Sequence, residues 1–385
     1  MHNSIELFSG TGGLALGLQE AGFDHVALFE WDKHSCANIS ANIQSGTCGY
    51  VKNWNVFQAD VRDVVFSPYE GKVQLVSGGP PCQPFSMGGK GLAYNDRRDM
   101  FPQAVRAVRE IRPEAFVFEN VRGLLRKSFA SYFNYILLQL TFPEITAKDG
   151  MTWTDHLALL ERCHTSAPQQ AMRYNVSFRL LNAADYGVPQ KRFRVVIVGF
   201  RSDIDARWSF PEPTHSAEAL AYSQWVTNEY WEEHHIQRTQ SCPLSAKQLS
   251  EVREKCETLF RPQRWLTVRD ALKGLPSPNA NHGHIANHEF RGWAKSYAGH
   301  SGSILDLPSK TIKAGAHGVP GGENMIVTDE GKMRYYTIRE AARLQTFPDE
   351  FTFGASWTES MRQIGNAVPV ALGRAVGESI IRHLS

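Results

Sequence analysis

The sequence predicts an α/β fold: a doubly wound, mostly parallel sheet joined to a second, smaller and irregular domain. Short apolar runs rich in β-branched and aromatic residues alternate with stretches of helical period through the first half of the chain. Repeated strand–helix units of this kind require a parallel sheet with helices on both faces. A glycine-rich turn, "FSGTGG" (8–13), directly follows the first apolar run, the place where such sheets approach ligands. From about residue 201 to 333 the chain becomes richer in Pro, His, Trp and polar residues and its periodicity fades, which predicts the second domain.

The elements follow in order. "SIELF" (4–8) is a short strand, and "GGLALGLQEAGF" (12–23) has Leu14, Leu18 and Ala21 at helical spacing with Gly22 as the stop. "HVALFEWD" (25–32) is a second strand, followed by a helix through "KHSCANISANI" (33–43). "NVFQADV" (55–61) and "VQLVSGG" (73–79) continue the sheet. "QAVRAVREIRP" (103–113) is a helix closed by Pro113, "AFVFENV" (115–121) a strand, and "SYFNYILLQL" (131–140) a helix. The polar helical stretch 144–172 reads as an insertion in this domain. "YNVSFRLLNAADYGV" (174–188) and "FRVVIVGF" (193–200) form a closing pair of strands around a turn. Order returns with "TIREAARLQTF" (337–347) and ends in an amphipathic helix, "PVALGRAVGESIIRHL" (369–384).

Composition narrows the function. The 385 residues are 42% hydrophobic and 21% charged, ordinary for a globular protein with a large core. A net charge of +2 gives no bulk attraction to a polyanion, so nucleic-acid binding would need a local basic surface. The start lacks the basic and apolar regions of a signal peptide, and no apolar run is long enough to span a bilayer. The six cysteines include no C-x-x-C pair, so neither a disulfide framework nor a zinc site is indicated. A soluble intracellular protein is expected.

Four stretches could carry chemistry. In "ELFSGTGGL" (6–14) the spacing of Gly10, Gly12 and Gly13 departs from G-x-G-x-x-G. Glu30 still ends the second strand where a ribose is held in such folds, and Trp31 beside it could cover an adenine; a plain tight turn is the alternative. In "GGPPCQPFS" (78–86), Pro80 and Pro81 fix their own φ ahead of Cys82. A glycine-rich loop follows, so the thiol is placed as a nucleophile would be rather than as a core cysteine. In "FVFENVRGL" (116–124), Glu119 follows an apolar strand. Poor solvation there would raise its pKa and let it act as an acid; a helix-capping carboxylate is the alternative. In "QKRFRVVIVGF" (190–200), Arg192 and Arg194 alternate with Phe193. On a strand both would share one face and suit an anionic or carbonyl-rich ligand; a salt-bridged strand edge fits equally.

With "IREAARLQTFPD" (338–349) and "QIGNAVPV" (363–370), these pieces in this order closely resemble the DNA cytosine-C5 methyltransferases. The blocks F-x-G-x-G-G, P-P-C-Q, E-N-V, Q-x-R-x-R, R-E-x-A-R-L-Q-x-F-P and G-N-A-V-P are intact over 4–201 and 334–384. The chain is similar to the prokaryotic restriction–modification type, since no long regulatory region precedes the first block. The resemblance implies a Rossmann-like methyltransferase fold using S-adenosylmethionine and no metal. It makes Cys82 the nucleophile that adds to C6 of cytosine. Glu119 becomes the contact to N3 and the exocyclic amine, Arg194 the holder of O2, and Arg192 its support. Phe8, Gly10 and Gly12 would line the cofactor, Glu30 would hold its ribose, and Trp31 would lie against its adenine. Asp60 would reach the adenine amine, and Pro80, Asn366 and Ala367 would complete the site. Two departures stand out: "NDRRDMF" (95–101) has Arg98 where relatives often have glycine, and the 144–172 insertion is longer than in compact members.

The resemblance divides the chain into a catalytic domain (1–200 and 334–385) and a target-recognition domain (201–333). Basic residues of the latter (Arg261, Arg264, Arg269, Lys273, Arg291, Lys295, Lys310 and Lys313) interleave with Trp265, Trp293 and Tyr297, as a groove-facing surface would. The glycine-rich stretch 309–324 reads as loops able to approach DNA. His282, His284 and His288 read as solvated loop histidines rather than metal ligands, no carboxylate or cysteine pattern accompanying them. Double-stranded DNA is the expected partner, its target base flipped out of the stack. The chain is expected to be monomeric, cytoplasmic and nucleoid-associated, and to work beside a cognate restriction endonuclease. A zinc nucleobase deaminase would need H-x-E and P-C-x-x-C, and a dehydrogenase the full dinucleotide fingerprint; neither occurs. A non-catalytic DNA-binding relative would have no need to keep Cys82, Glu119 and Arg194 together.

Overall fold

The computed structural model describes residues 2–81, 99–166, 172–237, 241–257, 262–280, 285–295, 301–314 and 324–384. They form two compact units: Met1–Leu181 with Phe193–Phe210 and Gly373–Ser385, and Asn182–Arg192 with Pro211–Leu372.

The first unit is built on a seven-stranded sheet in the order β3-β2-β1-β4-β5-β7-β6. Its strands are β1 (His2–Leu7), β2 (Phe23–Glu30), β3 (Val56–Gln58), β4 (Leu75–Gly78), β5 (Ala115–Val121), β6 (Tyr174–Asn182) and β7 (Phe193–Arg201). Pairing is parallel from β3 through β5, and β7 runs antiparallel to β5. The predicted doubly wound sheet and its closing pair of strands are both present. Central strands are covered on both faces, which is why they read as continuous apolar runs: Ile5, Leu7, Val76, Phe116, Phe118 and Ile197 have no exposed surface. Helices α1 (Gly13–Glu20), α2 (Lys33–Ser45), α3 (Phe101–Ile111), α4 (Ala130–Thr141) and α5 (Trp153–Ser166) complete the layers. Asp32 starts α2 by accepting the Ser35 N–H, 2.8 Å away. Strand β4 passes so close to β1 that a Cβ on Gly78 would lie 2.4 Å from the Leu7 carbonyl oxygen.

The described residues of the second unit form short helices and two small sheets. Its helices are α6 (Ala217–Trp225), α7 (Glu229–Glu233), α8 (Ala246–Cys256), α9 (Val268–Leu272), α10 (Ile338–Leu344) and α11 (Trp357–Asn366). Strands β8 (His215–Ser216) and β9 (Gln263–Arg264) pair, as do β10 (Ser303–Ile304), β11 (Met325–Val327) and β12 (Met333–Tyr335). The final helix, α12 (Val370–Ile381), begins in this unit and continues in the first. Thr337 and Glu340 form a capping box on α10, and buried Arg334 pairs with Glu340 at 2.6 Å. Residues 334–372 thus pack with 211–333, although the expected functional division assigned them to the catalytic domain. His288 ties the two stretches: its Nε2 lies 2.8 Å from the Pro276 carbonyl and its Nδ1 3.0 Å from the Thr337 hydroxyl. It is fully buried, which corrects the expectation of a solvated histidine; His282 and His284 lie outside the described residues. No helix among the described residues is long and apolar enough to cross a membrane.

Candidate active site

From β1 the chain moves outward to β2 and β3 on one side and to β4 and β5 on the other. The β1/β4 boundary is therefore a topological switch point, where open α/β sheets bind ligands beyond the strand ends. The turn after β1 adopts left-handed backbone at Phe8 (φ 55°), Gly10 (φ 54°) and Gly12 (φ 86°). A Cβ on Gly12 would lie 2.8 Å from the Trp54 ring, whereas one on Gly10 would meet nothing within 4 Å among the described residues. Glu30, buried at the end of β2, holds the turn: one carboxylate oxygen accepts the Gly10 N–H at 2.7 Å and the other the Asp32 N–H at 2.8 Å. Burial raises its pKa, and those two N–H groups oppose the rise. Beside it Trp31 is 72% exposed, a bare aromatic surface. The buried Ser9 hydroxyl finds no partner among the described residues. Asp60 starts the turn after β3 and pairs with Arg62, whose hydrogen bonds hold its carboxyl below the usual range.

Cys82 lies outside the described residues, but the chain leading to it does not. Asn120, from the end of β5, donates through Nδ2 to the Pro80 carbonyl at 2.9 Å and accepts the Val121 N–H through Oδ1 at 2.9 Å. Glu119 and Arg194 form an ion pair with both side chains buried. The register explains the contact. Glu119 pairs with Val196 and Val121 with Arg194, so the two charged side chains are diagonal neighbours on one face of an antiparallel pair. The poorly solvated carboxyl expected at Glu119 thus has a guanidinium against it.

The expectation that Arg192 and Arg194 share a strand face is corrected. Strand β7 begins at Phe193, and Arg192, before it, belongs to the second unit. Fully buried, Arg192 donates to the carbonyls of Ile312 at 3.0 Å, Gly365 at 2.6 Å and Ala367 at 3.0 Å. It therefore clamps the turn carrying Asn366 and Ala367 rather than joining Arg194 at Glu119. Gln190 and Gln345 finish this network: Gln190 Nε2 is 3.1 Å from Gln345 Oε1, and Gln345 Nε2 donates to the Ile364 carbonyl at 2.6 Å. Sequence reasoning missed Asn120, Gln190 and Gln345, although each sits inside a quoted block and each is an amide, able to donate and accept at once.

The expected DNA-facing set divides. Arg264 is held by Asp270 at 2.7 Å and Glu233 at 2.7 Å, and Arg269 by Asp306 at 2.6 Å and Asp329 at 2.7 Å. These arginines stiffen the second unit. Lys273 lies 3.9 Å from Glu233, and the Lys310 ammonium is 2.8 Å from the Ser301 hydroxyl. Glu233, His234 and Asp270 are the described residues grouped as metal ligands would be, and the Arg264 guanidinium already bonds to both carboxylates. Arg291, Lys295 and Lys313 are exposed. Trp293 is 52% exposed, packed edge-on to Phe290 at 5.4 Å with the Lys332 ammonium 5.5 Å from its ring. Arg261 and Tyr297 lie outside the described residues.

Comparison with known proteins places this geometry. The C-5 cytosine-specific DNA methylase family matches residues 2–143 and 165–382. The type II methyltransferase M.NgoMIV of Neisseria gonorrhoeae is 33% identical over 381 residues, covering 99% of this chain and 97% of its own. M.PspPI of Psychrobacter sp. (strain TA137) is 32% identical over 390 residues, covering 100% of this chain and 80% of its own. Among solved structures, the S. pombe Dnmt2 methyltransferase shares the fold, with a TM-score of 0.57 at 17% identity over 99% of each chain. The doubly wound sheet and the buried Glu119–Arg194 pair agree with a family match along nearly the whole sequence: the chain belongs to the C-5 cytosine-specific DNA methylases.

Proposed function

We propose that this enzyme methylates C5 of a cytosine flipped out of double-stranded DNA, with S-adenosylmethionine as methyl donor and Cys82 as nucleophile. The observation that carries the reading is the buried Glu119–Arg194 pair at the ends of β5 and β7, next to Asn120, which fixes Pro80 two residues before Cys82. C5 of cytosine is a weak nucleophile. Addition of the Cys82 thiolate to C6 makes the ring an enamine and turns C5 into a carbon nucleophile. Glu119 would hold N3 and the exocyclic amine, and Arg194 would hold O2, drawing charge from the ring as the thiolate adds. Departure of the C5 proton and expulsion of Cys82 restore the aromatic ring.

The crevice suits the donor. Among the described residues, the open space at Gly10, the Ser9 hydroxyl without a partner, the buried Glu30 carboxylate and the exposed face of Trp31 suit a nucleoside with a ribose and an adenine. Phe8, Gly10, Gly12 and Pro80 would line it, and Asp60 would reach the adenine amine. When bound, S-adenosylmethionine supplies an electrophilic methyl group. We assign specificity to residues 201–333 and the chemistry to 1–200 and 334–385. The exposed Trp293, Phe290, Arg291 and Lys332 offer the aromatic and cationic contacts that a duplex requires. Kinship with type II methyltransferases supports a role in protecting DNA from a cognate endonuclease.

The test is covalent trapping. DNA with 5-fluorocytosine at the target has no C5 proton to lose, so Cys82 should remain bonded to C6. A denaturation-resistant protein–DNA species is expected with S-adenosylmethionine present, and Cys82→Ser should abolish both it and methyl transfer. Substantial turnover by Cys82→Ser would overturn the assignment.

A further inference from the structure

Residues 144–164 fall outside the family match. They fold onto α4. Trp153, the first residue of α5, sets its ring 6.3 Å from that of Tyr132 and 5.8 Å from that of Tyr135. His156 fixes this docking. Its Nε2 lies 3.0 Å from the Ile145 carbonyl and must carry a hydrogen, which leaves Nδ1 to accept from the Tyr135 hydroxyl at 2.8 Å. Burial lowers the His156 pKa and so favours the neutral ring that this tautomer needs.

The contacts continue toward the reacting segment. The Tyr132 hydroxyl donates to Asp99 Oδ2, and Asp99 Oδ1 accepts the Phe101 N–H at 3.2 Å, at the start of α3. Met100 N–H donates to the Pro81 carbonyl at 3.2 Å. Pro81 immediately precedes Cys82, so the chain on either side of 82–98 is joined at one point, and Tyr132 and Asp99 hold that point.

We propose that the inserted helix α5 is a brace: Trp153 fixes Tyr132, Tyr132 fixes Asp99, and the three set where the Cys82-bearing segment leaves and rejoins the core. Trp153 and Tyr132 are thus positioning residues for the methyl-transfer reaction, an inference that rests on Cys82 being the nucleophile. A helix that merely enlarged the core would affect stability and leave the bond-forming rate alone.

Trapping on 5-fluorocytosine DNA under single-turnover conditions tests this, alongside S-adenosylmethionine Kd, KM for DNA and Tm. Trp153→Ala should slow trapping and kcat roughly tenfold, the scale of one lost packing or hydrogen-bond contact, with cofactor Kd unchanged. Trp153→Phe should restore most of the rate. Tyr132→Phe should reproduce the loss, and the Trp153→Ala/Tyr132→Phe double variant should lose no more than the worse single variant, because both act through one chain of contacts. If Trp153→Ala does not fold, Tyr132→Phe carries the same comparison. Wild-type trapping rates in folded Trp153→Ala or Tyr132→Phe, or additive losses in the double variant, overturn the brace. A wild-type enzyme that methylates DNA but never traps overturns the nucleophile reading instead.

Discussion

At the scale of single residues, the site depends on side chains that donate and accept together. Asn120 is the clearest case. Its Nδ2 donates to the Pro80 carbonyl and its Oδ1 accepts the Val121 N–H, both at 2.9 Å, as a neutral amide can. Asn120→Ala leaves the buried Pro80 carbonyl unpaired, which costs about 1–3 kcal/mol. Felt at the Cys82 segment, that is a fall in kcat of roughly tenfold to a hundredfold. Asn120→Asp keeps the shape but sets an oxygen against the carbonyl, so it should be no better than alanine. S-adenosylmethionine Kd should hold in both variants. A folded Asn120→Ala enzyme with wild-type kcat would show that the Pro80 anchor is dispensable. The chemistry of this position was not legible from its neighbours: "ENV" shows a strand end, and only the folded chain brings it to Pro80, 40 residues away. Glu119 was legible as a carboxyl near the end of an apolar strand, whereas its pairing with Arg194 required the β5/β7 register.

At the scale of elements, α1 is held by two buried titrating groups that meet at Ala15. The Glu6 carboxyl accepts the Ala15 N–H and takes a hydrogen bond from the Ser77 hydroxyl at 3.1 Å. His25 Nε2 lies 2.8 Å from the Ala15 carbonyl, and its Nδ1 lies 2.9 Å from the Ser4 hydroxyl. Burial pushes Glu6 from 4.5 up to about 8 and His25 from 6.5 down to about 4. Both groups are therefore neutral in the fold, and their effects on stability run in opposite directions with pH. Glu6 stabilises fully below 4.5, and that contribution is lost as pH rises toward about 8. His25 stabilises fully above 6.5, and its contribution is lost as pH falls toward about 4. Between pH 6.5 and about 8 only the Glu6 slope remains, worth up to about 1.4 kcal/mol per pH unit. Glu6→Gln keeps an acceptor for Ala15 and a polar partner for Ser77 without a charge to bury. Its thermal stability should fall less than that of wild type across this interval, and equal slopes would show that Glu6 does not ionise there. Elements such as β1 and β5 were legible because burial on both faces leaves unbroken apolar runs. Arg192 was misplaced because alternation with Phe193 looks like a strand, while its bonds to the 365–367 turn come from residues far along the chain.

At the scale of the whole molecule, the family blocks suggested a division at residues 200 and 334, but the packing boundary lies elsewhere. Residues 334–372 belong to the compact unit that contains 211–333, and short-range patterns cannot show this, because the contacts span long separations. Arg339, buried, donates to the Ala286 carbonyl at 3.3 Å, Asn287 bonds with Phe353 through both amide and carbonyl groups, and His288 meets Thr337. An exchange of residues 201–333 with those of a relative of different specificity therefore cuts this set of bonds, pairing a foreign 285–288 with the native 337–353. A second exchange of the same span that retains native 285–288 keeps Ala286, Asn287 and His288 with their partners. The second chimera should melt higher than the first, by several degrees if two or three hydrogen bonds of about 1 kcal/mol each are recovered. Both, where folded, should methylate at the donor's sequence, because the crevice, the Glu119–Arg194 pair and the Cys82 segment all remain native. Bisulfite sequencing of a plasmid carrying both sites reads the outcome. An active chimera that kept the original site would move specificity out of 201–333, and equal melting of the two would show that the 285–288 contacts do not bind 334–372 to the rest of the unit.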